Sequence, residues 1–179
     1  MESDNIMAEV KVFRFDPQED KEPRWEVYQT PYEGYTVLLV LRYIYEHLDS
    51  SLAFRYGCAG STDNRCGACL VLLNGRPALS CEAVAEKNMT IGPHPRFEIA
   101  KDLIVDFNRT KEEDVPVVGV QIVVDHERCN GCGDCLVICP SGVYEVKKGK
   151  ANPVESQYCC GMTCKQCATF CYRNAITVT

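Results

Sequence analysis

Thirteen cysteines in a chain of 179 residues, and above all their spacing, constrain this sequence more than any other feature. They fall in three groups: 58, 66, 69 and 81; then 129, 132, 135 and 139; then 159, 160, 164, 167 and 171. No run approaches the roughly 18 apolar residues of a spanning helix, and the first residues lack the basic-then-apolar layout of a signal peptide. The expected setting is the cytoplasm, where thiols stay free and dense cysteines bind metal more often than they pair. A formal net charge of −6 argues against nucleic acid, whose phosphates would need a basic face.

Between the first two groups lie 47 residues without cysteine, among them the charged, Pro-ended stretch Asn108-Arg109-Thr110-Lys111-Glu112-Glu113-Asp114-Val115-Pro116. Such a stretch reads as a linker. The expected organisation is a first domain over residues 1–107, a linker over 108–116 and a second domain over 117–179.

The second domain repeats itself. A shift of 32 residues superposes Cys132 on Cys164, Cys135 on Cys167 and Cys139 on Cys171, and a half of this size is too small to hold a core of its own. Cys129-x2-Cys132-x2-Cys135-x3-Cys139-Pro140 has the spacing of a bacterial [4Fe-4S] run, in which three thiolates hold one cube and the fourth crosses to the other. Gly131 and Gly133 let that loop turn tightly. The second run departs from the rule, because Gly161 stands where a cysteine is expected and Cys160 is displaced by one residue. The expected ligand sets are Cys129, Cys132, Cys135 and Cys171 for one cube, and Cys139, Cys160, Cys164 and Cys167 for the other. Cys159 is the alternative to Cys160. Structural zinc prefers two separated cysteine pairs, often with histidine, and only His126 is near.

In the first domain Val10-Lys11-Val12-Phe13-Arg14-Phe15 alternates as a strand, and a second strand follows at Trp25 to Gln29. Val37, Leu38, Leu41, Ile44, Tyr45 and Leu48 recur at helical spacing behind a Thr36 N-cap. Leu70 to Leu73 and Pro77 to Ser80 flank Asn74-Gly75, a type I′ hairpin signal. Tyr43, Tyr45, Tyr56 and Trp25 read as core residues. The expected fold class is α+β: a β-grasp, plant-type ferredoxin-like domain followed by a bacterial ferredoxin-like two-cluster domain.

Residues 9–107 resemble the N-terminal domain of the iron-sulfur subunit of succinate dehydrogenase and fumarate reductase. The resemblance is carried by Val12-Phe13-Arg14-Phe15-Asp16-Pro17, Pro23-Arg24-Trp25, Thr36-Val37-Leu38, Leu41-Arg42-Tyr43-Ile44, Leu52-Ala53-Phe54-Arg55, Cys66-Gly67-Ala68-Cys69, Asn74-Gly75-Arg76, Leu79-Ser80-Cys81 and Lys101-Asp102-Leu103-Ile104-Val105-Asp106-Phe107. It implies a plant-type [2Fe-2S] cluster on Cys58, Cys66, Cys69 and Cys81, beside a flavin-bearing catalytic partner. The last 60 or so residues resemble a bacterial two-cluster ferredoxin.

Two departures matter. Plant-type spacing is C-x4-C-x2-C, whereas this chain has Cys58-x7-Cys66-x2-Cys69. The insertion lies where a larger cluster would need it, which points to [4Fe-4S]; a bulge of Ser61 to Asn64 around an unchanged [2Fe-2S] is the other reading. The family's longer helical second domain, which reaches quinone-binding membrane subunits, is replaced by the short ferredoxin unit, so quinone contact is not implied.

His47, His94 and His126 stand apart from one another and from any serine or acidic motif, and no dinucleotide fingerprint or phosphate loop is present. Lys147, Lys148 and Lys150 read as a solvated hairpin tip. The expected role is electron relay, not catalysis, in a complex whose larger catalytic subunit carries flavin or a molybdenum or tungsten cofactor. In size and cluster load the chain is similar to the small electron-transfer subunit of the tungsten-dependent benzoyl-CoA reductase of anaerobes, by analogy and without residue matching. A freely diffusing ferredoxin serving several enzymes and a zinc-stabilised interaction module are the alternatives.

Overall fold

The computed structural model describes residues 7–56, 66–111 and 120–179. The first strand, β1 (Met7–Arg14), buries every second side chain, so Ala8, Val10, Val12 and Arg14 face inward. It pairs antiparallel with β2 (Arg24–Pro31) in unbroken register from Met7↔Pro31 to Arg14↔Arg24. Helix α1 (Val37–His47) starts at Thr36, whose side chain accepts from the Leu39 N–H, and buries Val37, Leu38, Val40, Leu41 and Ile44. The hairpin β3 (Leu70–Leu73) and β4 (Arg76–Leu79) turns on Asn74 and Gly75, both at positive φ as a type I′ turn requires. Strand β5 (Asn88–Pro93) enters between the two hairpins, parallel to β1 and antiparallel to β3, giving a five-stranded mixed sheet in the order β2-β1-β5-β3-β4. Its face and the apolar stripe of α1 form the core, as in a β-grasp.

The hairpin β6 (Phe97–Lys101) and β7 (Ile104–Thr110) follows. Asn108 to Thr110, expected to open the linker, belong instead to β7, because Thr110 pairs with Phe97 across the bulged ladder. Lys111 follows β7, its N–H donating to the Arg96 carbonyl at 2.9 Å, and residues 112–119, which include the remainder of the expected linker, lie outside the described residues. Trp25, Tyr45 and Tyr56 are 44%, 46% and 58% exposed, so they are not the core residues their size suggests. Trp25 lies over the edge of Phe13, and Tyr56 caps Arg42. Leu48 is half exposed as well, since the helix ends one residue before it.

From residue 120 on, every element is short. The outer strands β8 (Ile122–Val124) and β11 (Ile176–Val178) pair antiparallel, as do β9 (Tyr144–Lys147) and β10 (Lys150–Pro153). Two five-residue helices, α2 (Asp134–Ile138) and α3 (Gln166–Phe170), pack on each other, each carrying one cysteine of its own run. Both are preceded by a residue in left-handed conformation, Gly133 and Lys165, an internal symmetry that matches the sequence repeat.

A buried seam joins the two groups of elements. Leu70, Leu79, Phe97 and Val105 pack with Cys160 and Cys164, and Cys69 and Cys81 border the same cluster. The Leu79 N–H donates to Thr163 Oγ1 at 3.1 Å, and that hydroxyl donates to the Cys160 carbonyl at 2.7 Å. His94 is fully buried, with Nε2 3.4 Å from the Tyr158 carbonyl. Arg96 ion-pairs with Glu155 and lies over the Tyr158 ring. Gly67 sits so close to Pro140 that a β-carbon there would lie 2.2 Å from it.

Candidate metal centres

None of the twelve described cysteines is in a disulfide. Cys58 lies outside the described residues, so its expected place as a ligand is outside them too. In the second half of the chain the thiols surround two cavities. Cys129, Cys132, Cys135 and Cys171 line one, with Gly131, Gly133 and Phe170 completing the wall. Cys139, Cys159, Cys160, Cys164 and Cys167 line the other. Cys167 stands between them and borders both. The crossing of Cys139 and Cys171 follows from the packing of α2 on α3: each helix ends on the cysteine that reaches the neighbouring cavity.

Backbone amides point at the sulfurs. The Ala151 N–H donates to Cys129 Sγ at 3.5 Å, the Ala175 N–H to Cys171 Sγ at 3.4 Å and the Gly161 N–H to Cys159 Sγ at 3.4 Å. The buried Tyr144 hydroxyl donates to Cys167 Sγ at 3.0 Å. Nothing in the sequence pattern marks Tyr144, because it is the register of β9 that aims it. Gly131 has φ +73, and a β-carbon on it would lie 2.1 Å from the Gly149 carbonyl, so the ligand loop is pressed against the turn of the β9–β10 hairpin. That turn is therefore not simply solvated: the Lys150 ammonium donates to the Cys129 carbonyl.

Burial pushes the Cys135 thiol up to about 11 and the Cys159 thiol up to about 12, and raises Cys160 and Cys167 as well. Thiolates gathered in such apolar cavities repel one another and lack water, so the arrangement is stable only with protons or with a cationic group to share their charge. Sulfur side chains, amide donors and apolar walls are what an iron–sulfur cluster requires. Cys132, which lines the first of these cavities, is exposed, so that cavity reaches the surface.

In the β-grasp half, Cys69 and Cys81 come together with their sulfurs 3.3 Å apart. Cys66 borders a cavity of about 360 Å³ shared with Arg96, Phe97, Phe107, Cys139 and Pro140. The hairpin that carries Cys69 and Cys81 is anchored by the Ser80 N–H, which donates to the Cys69 carbonyl at 3.0 Å. Behind it, Arg14 is 3% exposed and ties β1 to the loop after α1: it donates to Tyr28 Oη at 2.9 Å and Ser51 Oγ at 2.8 Å and pairs with Asp49. The buried Asp102 accepts from the Phe15 and Ala53 N–H groups at 2.8 and 2.9 Å, with Arg14 Nε 3.2 Å away.

A β-grasp sheet bearing thiols on its hairpin, joined to a tandem pair of cysteine-lined cavities, defines an iron–sulfur protein. The chain belongs to the 2Fe-2S iron-sulfur cluster binding domain family, whose model matches residues 9–112, and a 4Fe-4S binding domain matches residues 121–144. It is 31% identical over 153 residues to an uncharacterized iron-sulfur protein of Methanocaldococcus jannaschii, covering 75% of this chain and 30% of that protein. Over 103 residues it is 37% identical to the fumarate reductase iron-sulfur subunit of Haemophilus influenzae, covering 55% and 39% of the two chains. With a fumarate reductase (CoM/CoB) subunit of Methanothermobacter marburgensis the identity is 29% over 205 residues, 92% of this chain and 41% of the other. The chain thus spans less than half the length of these three relatives. The resemblance to succinate dehydrogenase and fumarate reductase iron-sulfur subunits holds, as does the expected α+β class. No helix among the described residues is long and apolar enough to cross a membrane.

Proposed function

We propose that the chain is the electron-transfer subunit of an oxidoreductase complex, not catalytic by itself, working in the cytoplasm beside a larger catalytic subunit that carries flavin, tungsten or molybdenum. The observation that carries this reading is the alignment of thiol groups. Cys69 and Cys81 border the buried cluster that contains Cys160 and Cys164, and Cys167 in turn borders the surface cavity of Cys129, Cys132, Cys135 and Cys171. Iron–sulfur clusters supply one-electron transfer when bound. The residues of this chain hold the sulfurs, set the separations and, at the seam, exclude water with Leu70, Leu79, Phe97 and Val105.

The ligand sets in this reading are Cys58, Cys66, Cys69 and Cys81; Cys129, Cys132, Cys135 and Cys171; and Cys139, Cys164 and Cys167 with Cys160 or Cys159. The last two sets fit [4Fe-4S] clusters. For the first, [2Fe-2S] is the better reading, although the longer loop pointed to [4Fe-4S]. Two thiolates on one tetrahedral metal with bonds of about 2.3 Å stand roughly 3.8 Å apart, while thiolates on different irons of a cube stand much further apart. The 3.3 Å between Cys69 and Cys81 supports a shared iron. In the same reading the chain divides into a β-grasp domain and a two-cluster domain. The names of the Haemophilus and Methanothermobacter relatives support a place in a complex of the fumarate reductase kind.

Anaerobic purification with iron analysis and low-temperature EPR tests the proposal. About 10 irons per chain with a reduced [2Fe-2S] signal is the expected result. About 12 irons would mean three cubes, and an iron-free, natively folded protein would overturn the reading. A large partner that co-purifies at fixed ratio separates a subunit from a freely diffusing ferredoxin.

A further inference from the structure

Nine thiols line the two cavities of residues 120–179, one more than two four-ligand clusters use, and five of them border the cavity between Cys139 and Cys167. The extra one comes from the adjacent pair Cys159 and Cys160, which are 8% and 5% exposed. Successive side chains of an extended segment point to opposite sides, yet both of these reach the same cavity. The backbone explains it. Cys159 is extended at φ −71, ψ 133, Cys160 turns at φ −76, ψ 5, and a 3-10 turn begins at Gly161 with φ +52. A β-carbon on residue 161 would lie 2.8 Å from Val120, so the turn and its glycine are tied together.

The two sulfurs approach from different sides. Cys159 packs with Cys135 and Cys167 in the core of the second half of the chain and accepts from the Gly161 N–H. Cys160 packs with Leu70, Leu79 and Cys164 at the seam, near Cys69 and Cys81, with Ser141 Oγ 3.7 Å from its sulfur. Each is buried at the cavity wall and each has a polar neighbour suited to a ligand sulfur.

We infer that Cys159 and Cys160 are interchangeable fourth ligands of the middle cluster, so that one iron can be held either from the core or from the seam. The inference rests on the proposed relay and adds to it a site with a spare ligand. In the exchange one iron–sulfur bond to Cys160 breaks and one to Cys159 forms, and the incoming thiol gives its proton to the outgoing thiolate; no electron is gained or lost.

The test is the full chain, purified without air, as wild type, C159A, C160A and the double variant, with iron analysis and EPR of each. Both single variants are expected to keep the wild-type iron content and all three cluster signals, and the double variant to show a [3Fe-4S] signal or to lose about four irons. Iron loss or a [3Fe-4S] signal in either single variant, whether or not other clusters are lost with it, overturns the inference, as does a double variant with full iron. Failure of the relay reading looks different, because the wild type itself would then lack iron.

Discussion

The Tyr144 hydroxyl donates to Cys167 Sγ, the one sulfur among the described residues that borders both the cavity of Cys129, Cys132, Cys135 and Cys171 and that of Cys139, Cys159, Cys160 and Cys164. Burial first, and then the neighbouring thiol, push the phenol far above its ordinary value, so it remains a donor at any working pH. A donated hydrogen bond stabilises the more negative, reduced state of a cluster and raises its potential.

Tyr144→Phe is therefore expected to lower the potential of the middle cluster alone. If about 1 kcal/mol of the bond is differential between the two redox states, the shift is roughly 40 mV. EPR-monitored redox titration checks it, with unchanged iron content as the control for folding. A potential equal to that of the wild type would remove Tyr144 from the tuning of this site.

His94 gives the seam a pH dependence. Burial pushes its imidazole down to about 4, with the Tyr158 carbonyl opposing and Arg96 reinforcing that shift. Unfolded, the ring titrates near 6.5. A folded value below the unfolded one means that the stability tied to neutral His94 is complete above about pH 6.5 and is lost as the pH falls toward 4, up to about 3 kcal/mol. Melting of the iron-loaded protein should drop over that window, and His94→Gln should flatten the pH profile.

Arg14→Met should destabilise the β-grasp half by about 3 kcal/mol or more. It strands the carboxylate of Asp102, which is 2% exposed, and unties Asp49 and Tyr28 from β1. Chemical denaturation followed by Trp25 fluorescence measures the loss, since Trp25 sits on β2 beside Phe13.

Iron chelation should unfold residues 120–179 before the rest. Their strands are three or four residues long and their helices five, and Cys135, Cys159 and Cys167 take up places in their small core that apolar side chains would otherwise fill. Limited proteolysis with and without chelator, read by mass spectrometry, checks the order. Cleavage appearing first between β1 and β5 would contradict it.

Local features were legible in the sequence because each is set by neighbouring residues. The alternation of Val10 and Val12, the helical spacing of Val37, Leu41 and Ile44, and the Asn74-Gly75 turn needed no knowledge of the rest of the chain. The spacing of Cys129, Cys132 and Cys135 likewise pointed to a loop that folds round one point, and the structure gathers them at one cavity. By contrast, β5 went unseen: its parallel pairing with β1, Val10 with Met89, joins residues far apart in the chain and leaves no local mark. The exposure of Tyr45 and Leu48 was missed because periodicity fixes a face of α1 but not where the sheet beneath it ends.

The sequence by itself determined the three groups of cysteines and the α+β class, since spacing along a backbone limits which thiols can meet round a loop. Only the tertiary structure decided that Cys160 and Cys164 lie in the buried cluster that Cys69 and Cys81 border, that Tyr144 reaches Cys167, and that Cys159 shares a cavity with its neighbour. Those relations depend on how separate elements pack, and packing depends on the whole surface each element buries.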